Sequence, residues 1–202
     1  MILWQIFVVG MVWCWCRQIS QDIAIIVITK VVEMLLDCGA NPDSRDHDGE
    51  SAVHAAVREE SAQMLQILLK VADQYRDKTN TIITINLIKK SPFKAGADPN
   101  LPSHLGKFPL HLAVEQNLLS LVRLMVDQGV DVEAREQAAG RTALHLAVDR
   151  QLEEMVRYLV KEAMVDLGRE DYSGLTALAF AESCRNQNIL RMITRGTRKQ
   201  NK

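Results

Sequence analysis

The sequence predicts an all-α fold, a solenoid of helix-turn-helix units with projecting hairpin fingers, on three observations. Four stretches align: "GESAVHAAV" from Gly49, "GKFPLHLAV" from Gly106, "GRTALHLAV" from Gly140 and "GLTALAFAE" from Gly174. Their histidine slots, His54, His111 and His145 with Ala179 in the fourth copy, lie 57, 34 and 34 residues apart, and removing the 24 residues Val71 to Lys94, which match neither flank, brings the first spacing to 33. A fixed period of this size is the mark of stacked supersecondary units. Each unit also shows the same internal order, a turn-rich segment followed by two apolar segments of helical spacing.

Taken in order, residues 1–30 form an apolar leader outside the repeat. Its "MILWQIFVVGMVWCWC" is sixteen residues without a charge. A spanning helix needs about 20 apolar residues, and a secretory signal needs a basic start and a small-residue cleavage site. A membrane segment is therefore not expected. "VVEMLLDCGA" at 31–40 reads as the second helix of a partial first unit. The turn-rich "GANPDSRDHDG", "GADPNLPSHLG", "GVDVEAREQAAG" and "MVDLGREDYSG" read as fingers, because Gly, Asp, Asn and Pro supply the dihedrals of tight turns. After each core, "SAQMLQILLK", "LLSLVRLMVDQG", "EEMVRYLVKEA" and "NILRMITRG" read as second helices. Repeats thus extend over 31–194, interrupted by an insert at 71–94, and 195–202 is a basic tail expected to fray. The insert carries "TIITINLI", β-branched and apolar, and is expected to leave the stack as a loop outside the binding surface. Valine codons begin GT and one lysine codon ends AG, so translation of a retained intron would account for a segment bounded by Val71 and Lys94.

Composition narrows the function. The net charge is -1 and both signs are interspersed along most of the chain, so there is no large basic field for phosphates and no direct nucleic-acid ligand is expected. Cys14, Cys16, Cys38 and Cys184 form no C-x-x-C pair and no zinc spacing, which points to free thiols in a reducing compartment. No Gly-rich phosphate loop or spaced pair of carboxylates occurs. Asp149 follows His145 by four residues without a nucleophile or oxyanion donor, so no triad is supported. Not an enzyme, no cofactor and no metal are the expectations.

The period and the cores "SAVHAA", "FPLHLA", "TALHLA" and "TALAFA" resemble the T-P-L-H-x-A core of the ankyrin repeat. By that resemblance Ala55, Ala56, Ala113 and Ala147 let neighbouring units approach, Leu110, Leu112, Leu144 and Leu146 fill the stack, and His54, His111 and His145 are structural, bonding loop backbone, with Thr142 paired to His145. "VEAREQAAGRTALHLAVDRQ" at 132–151 and "VDLGREDYSGLTALAFAE" after it are similar to repeats of the inhibitor-of-NF-kappa-B proteins (Cactus-like) and of the ankyrin half of Relish-type precursors. The shared features are an extra finger residue, Gly129 to Gly140 spanning 11 positions where Gly39 to Gly49 and Gly96 to Gly106 span 10, and the histidine lost at Ala179.

This resemblance implies a protein-binding scaffold that grips a Rel-homology transcription factor dimer and blocks its DNA binding, in the cytoplasm, with the nucleus as a second compartment. The binding positions it implies are Arg45, Asp46 and His47 in the first finger, Leu101, His104 and Leu105 in the second, Glu133, Arg135 and Glu136 in the third and Arg169, Asp171 and Tyr172 in the fourth. Glu115, Gln116, Asp149, Arg150 and Gln151 join them on helix ends. Tyr172 and Arg135 are the anchors expected by residue type. The alternatives are a membrane-tethered adaptor held by residues 1–16 and a generic scaffold with an unrelated protein partner.

Overall fold

The computed structural model describes residues 21–73, 97–184 and 186–200. They contain nine helices and no strand; an isolated bridge joins Glu170 to Thr176. The chain divides into two compact units at Asn41 and Pro42.

The first unit contributes α1 (Gln21–Asp37). Its C-terminus is closed by Gly39 at φ 84°, with Gly39 N–H donating to Leu36 O and Ala40 N–H to Leu35 O. This double bond satisfies two of the terminal carbonyls, and a left-handed residue is what permits it. The helix runs unbroken across Lys30 and Val31, so the expected boundary between leader and repeat is not a structural one. A run of Ile and Val with one exposed Lys30–Glu33 pair at 3.0 Å sustains helical spacing on both sides of it. Residues 1–20 lie outside the described residues.

The second unit holds α2 (Ala52–Arg58), α3 (Ala62–Asp73), α4 (Pro109–Glu115), α5 (Leu119–Asp127), α6 (Ala143–Asp149), α7 (Glu153–Lys161), α8 (Ala177–Ser183) and α9 (Gln187–Gln200). Even-numbered helices are the first helices of the repeats and odd-numbered ones the second. Each pair packs together, and α2, α4, α6 and α8 also pack in sequence to make one continuous inner layer. Ala56, Ala113, Ala147 and Ala181 are wholly buried where these short helices meet, and Leu110, Leu144, Leu146, Met155, Leu159, Ile189 and Ile193 fill the space beside them. Small residues set the helix separation, and the large ones remove apolar area from water at about 25 cal/mol per Å².

Two ends differ from expectation. Helix α3 continues to Asp73, three residues into the insert, and residues 74–96, the rest of the insert with the two residues after it, lie outside the described residues. Helix α9 continues to Gln200 instead of fraying at 195, since Thr194 and Thr197 bond back to Leu190 O and Ile193 O and Gly196 lies against Leu167 and Val160. Among the described residues no helix is long and apolar enough to cross a membrane.

Candidate protein-binding surface

Each finger is a tight hairpin closed by a pair of backbone bonds. In the first, Asp46 N–H donates to Glu50 O and Gly49 N–H to Asp46 O; Ser103 with Lys107 and Gly106, and Asp171 with Leu175 and Gly174, repeat the pattern. The third finger keeps the outer bond, Glu136 N–H to Arg141 O, but its tip closes from Gly140 back to Glu136, one residue wider. The additional residue is thus absorbed at the very tip.

The fingers are joined to one another by two rows of hydrogen bonds. At the tips, His104 N–H donates to Asp48 O, Gln137 N–H to Gly106 O and Tyr172 N–H to Ala139 O. At the bases, carboxylate or amide oxygens of Asp43, Asn100 and Glu133 accept from the backbone N–H of Asp98, Asp131 and Asp166 at 2.7, 3.0 and 2.7 Å. A finger held at both ends cannot move alone, so the surface is organised before any partner arrives.

The imidazoles tie helices to fingers. Thr142 N–H donates to His145 Nδ1 at 3.3 Å and the Thr142 hydroxyl lies 2.9 Å from the same nitrogen, so Nε2 carries the proton and donates to Leu175 O at 3.1 Å. His54 does the same with Ser51 and Lys107 O. His111 reaches Arg141 O at 3.1 Å, but its Nδ1 has no partner, because Phe108 occupies the Ser/Thr position and offers a ring instead. Burial lowers the pKa of all three against the backbone acceptors that raise it. Neutral, buried and fixed to carbonyls, they serve structure, and the Ser51 and Thr142 hydroxyls beside two of them are themselves buried.

The predicted binding residues separate into groups. Leu105 is 75% exposed and Tyr172 61%, and Arg45, His47, His104 and Arg169 also face solvent at the fingers. The Tyr172 ring covers the Gly140 tip, where an added Cβ would stand 2.4 Å from its Cδ1, and the His104 ring covers Gly49 in the same way. Leu101 and Arg135 are half-buried, and Arg135 Nε has no partner. Asp171 and Glu136 are buried at 7% and 6% exposure. Desolvation pushes the Asp171 carboxyl upward, but the N–H groups of Leu175 and Ser173 and nearby positive charge outweigh it and leave the group below its ordinary value. Asp46 accepts likewise from Asp48 and Glu50. Glu133 is raised by desolvation, partly offset by its bond from Asp166. Asp46 and Asp171 thus brace their own fingers, Glu133 ties the third finger to the fourth, and Glu136 is buried in its own.

On the first helices, Glu115 pairs with Lys107 at 2.8 Å and lies 3.8 Å from Arg150, while Asp149 pairs with Arg141 at 3.3 Å. Glu50–Arg58 at 2.6 Å is the equivalent pair in the repeat of α2 and α3. Glu50, Arg58, Lys107 and Arg141 were not among the expected positions, yet they run along α2, α4 and α6 and connect finger base to helix end. Their signal was a recurrent opposite-charge pair eight residues apart. Gln151, with φ 56°, forms the left-handed turn into α7, as Glu60 and Asn117 do into α3 and α5. Gln116 and Gln151 are exposed at this end of the helices, away from the fingers.

Among known proteins, the chain is 35% identical over 119 residues to the chicken nuclear factor NF-kappa-B p105 subunit, covering 57% of this chain and 10% of that protein. It is 32% identical over 127 residues to the mouse B-cell lymphoma 3 protein homolog, covering 62% and 24%, and 30% identical over 118 residues to the Drosophila NF-kappa-B inhibitor cactus, covering 54% and 23%. The matched part is between a tenth and a quarter of the length of these relatives. The family model for ankyrin repeats in three copies matches residues 23–135, 83–171 and 110–202. Repeat period, paired helices, linked fingers and these matches agree, and the chain belongs to the ankyrin-repeat family of protein-interaction scaffolds.

Proposed function

We propose that this scaffold is an inhibitor that binds a Rel-homology transcription factor dimer through its fingers and first-helix ends, keeps it off DNA and holds it in the cytoplasm. The observation that carries this reading is the third finger. Its extra residue widens one tip without breaking the row of bonds to its neighbours, and the same feature marks the repeats that the sequence resembles. Relatives named as an NF-kappa-B inhibitor and as an NF-kappa-B subunit support the same partner class. Tyr172, standing on the Gly140 tip beside that finger, has the exposed aromatic area that anchors interfaces.

The test is a gel-shift competition. A Rel-homology dimer bound to its DNA site should release the DNA as the full chain is added. Tyr172→Ala and Arg135→Ala should each raise the concentration needed by roughly tenfold, the effect of losing about 1.4 kcal/mol at an interface. DNA that stays bound at saturating chain would overturn the inhibitor reading and leave a scaffold for a different protein.

A further inference from the structure

Helix α9 differs electrostatically from the second helices before it. Arg123 on α5 lies over the Tyr158 ring at 4.8 Å and pairs with Glu162 at 3.4 Å, and Arg157 on α7 pairs with Glu154 at 3.1 Å. The helix register places Arg191 of α9 in the slot of Arg157, and the Glu154 slot is filled by Asn188, whose amide bonds to Glu153 instead. Arg191, Arg195 and Arg198 are all exposed, and none has an ion-pair partner among the described residues. Positions i, i+4 and i+7 lie on one helix face, here about 10 Å long. Ile189 and Ile193, wholly buried, hold the opposite face against the body. The sequence accentuates the contrast: six of the 24 Lys and Arg fall in residues 185–202, where no Asp or Glu occurs, so the preceding residues carry all 25 acids.

We propose that the Arg191, Arg195 and Arg198 face of α9 is a second docking surface, separate from the fingers, for a short acidic segment of a partner protein. Guanidinium groups pair carboxylates in a planar fork, and three on one face match a short acidic segment. Charge distribution selects this occupant over nucleic acid. A duplex extends well past one helix and meets the acidic body, whereas a short peptide touches α9 alone, and screening over about 8 Å at physiological salt hides the body from it. The site does not depend on the identity of the partner at the fingers.

The test is fluorescence anisotropy with the full chain, using a labelled twelve-residue peptide of Asp and Glu spaced by Gly and Ser, and a labelled DNA duplex as the second probe. The peptide should bind, and R191E/R195E/R198E should weaken it by about tenfold or more, in line with charged-pair losses at interfaces. The neutral R191Q/R195Q/R198Q should weaken it less, and raising salt should weaken binding to the parent chain. Circular dichroism checks that α9 is retained, and the glutamine variant carries the test should the glutamate one not fold. An unbound peptide, equal binding by the variants, or DNA bound more tightly than peptide would each overturn the proposal. Competition for the Rel dimer is read separately and should be unchanged in the arginine variants.

Discussion

His54, His111 and His145 occupy one slot, but only two of them are fully bonded. The difference traces to a single upstream residue, Ser51 and Thr142 against Phe108. The Thr142 hydroxyl starts α6 and faces the His145 Nδ1 lone pair, so one side chain joins a helix cap to the bond that holds the fourth finger. Thr142→Ala should therefore lower stability by about 1–2 kcal/mol, the usual cost of a lost cap or buried hydrogen bond, read as a shifted denaturation midpoint at constant slope. An unchanged midpoint would mean that the hydroxyl is dispensable. Recurrence of one slot at the repeat period, with the resemblance it carries, made the histidines legible as structural. It did not do so for Asp46, Glu133 and Asp171, because a finger carboxylate looks the same in sequence whether it meets solvent or a backbone N–H.

At the scale of the element, the finger is held by its neighbour. Gly140 and Gly174 share a left-handed backbone, φ 71° and 75°, yet a Cβ at Gly140 meets the Tyr172 ring while at Gly174 nothing lies within 4 Å. An alanine at Gly174 bears only the backbone strain, about 1 kcal/mol, whereas at Gly140 it must also displace Tyr172. Gly140→Ala should thus cost at least about twice as much as Gly174→Ala by chemical denaturation. Equal losses would contradict the stacked tip. Helices and fingers were readable from period and turn chemistry. Their ends were less so: α1 crosses the expected boundary at residue 30, and α9 outlasts the expected stop at 195, since helical spacing and hydroxyl back-bonding continue beyond the recognisable repeat.

For the second unit as a whole, the rows of contacts that give stability also carry the proposed recognition surface. Inner helices meet through alanines, fingers meet through backbone bonds, and the Glu50–Arg58, Lys107–Glu115 and Arg141–Asp149 pairs line the face between finger base and helix end. These pairs are partly exposed, so each contributes little to stability and more to the charge pattern a partner meets. Sequence reading named the fingertips and, of these pairs, Glu115 and Asp149, and passed over Glu50, Arg58, Lys107 and Arg141, because it sorted residues by loop or helix while the pairs cross from one to the other. The most direct measurement of the central claim is calorimetry of the full chain with a Rel-homology dimer. The account predicts saturable binding, weakened by roughly tenfold by Tyr172→Ala and unaffected by R191E/R195E/R198E. Absence of binding, or binding that depends on the α9 arginines and not on Tyr172, would contradict it.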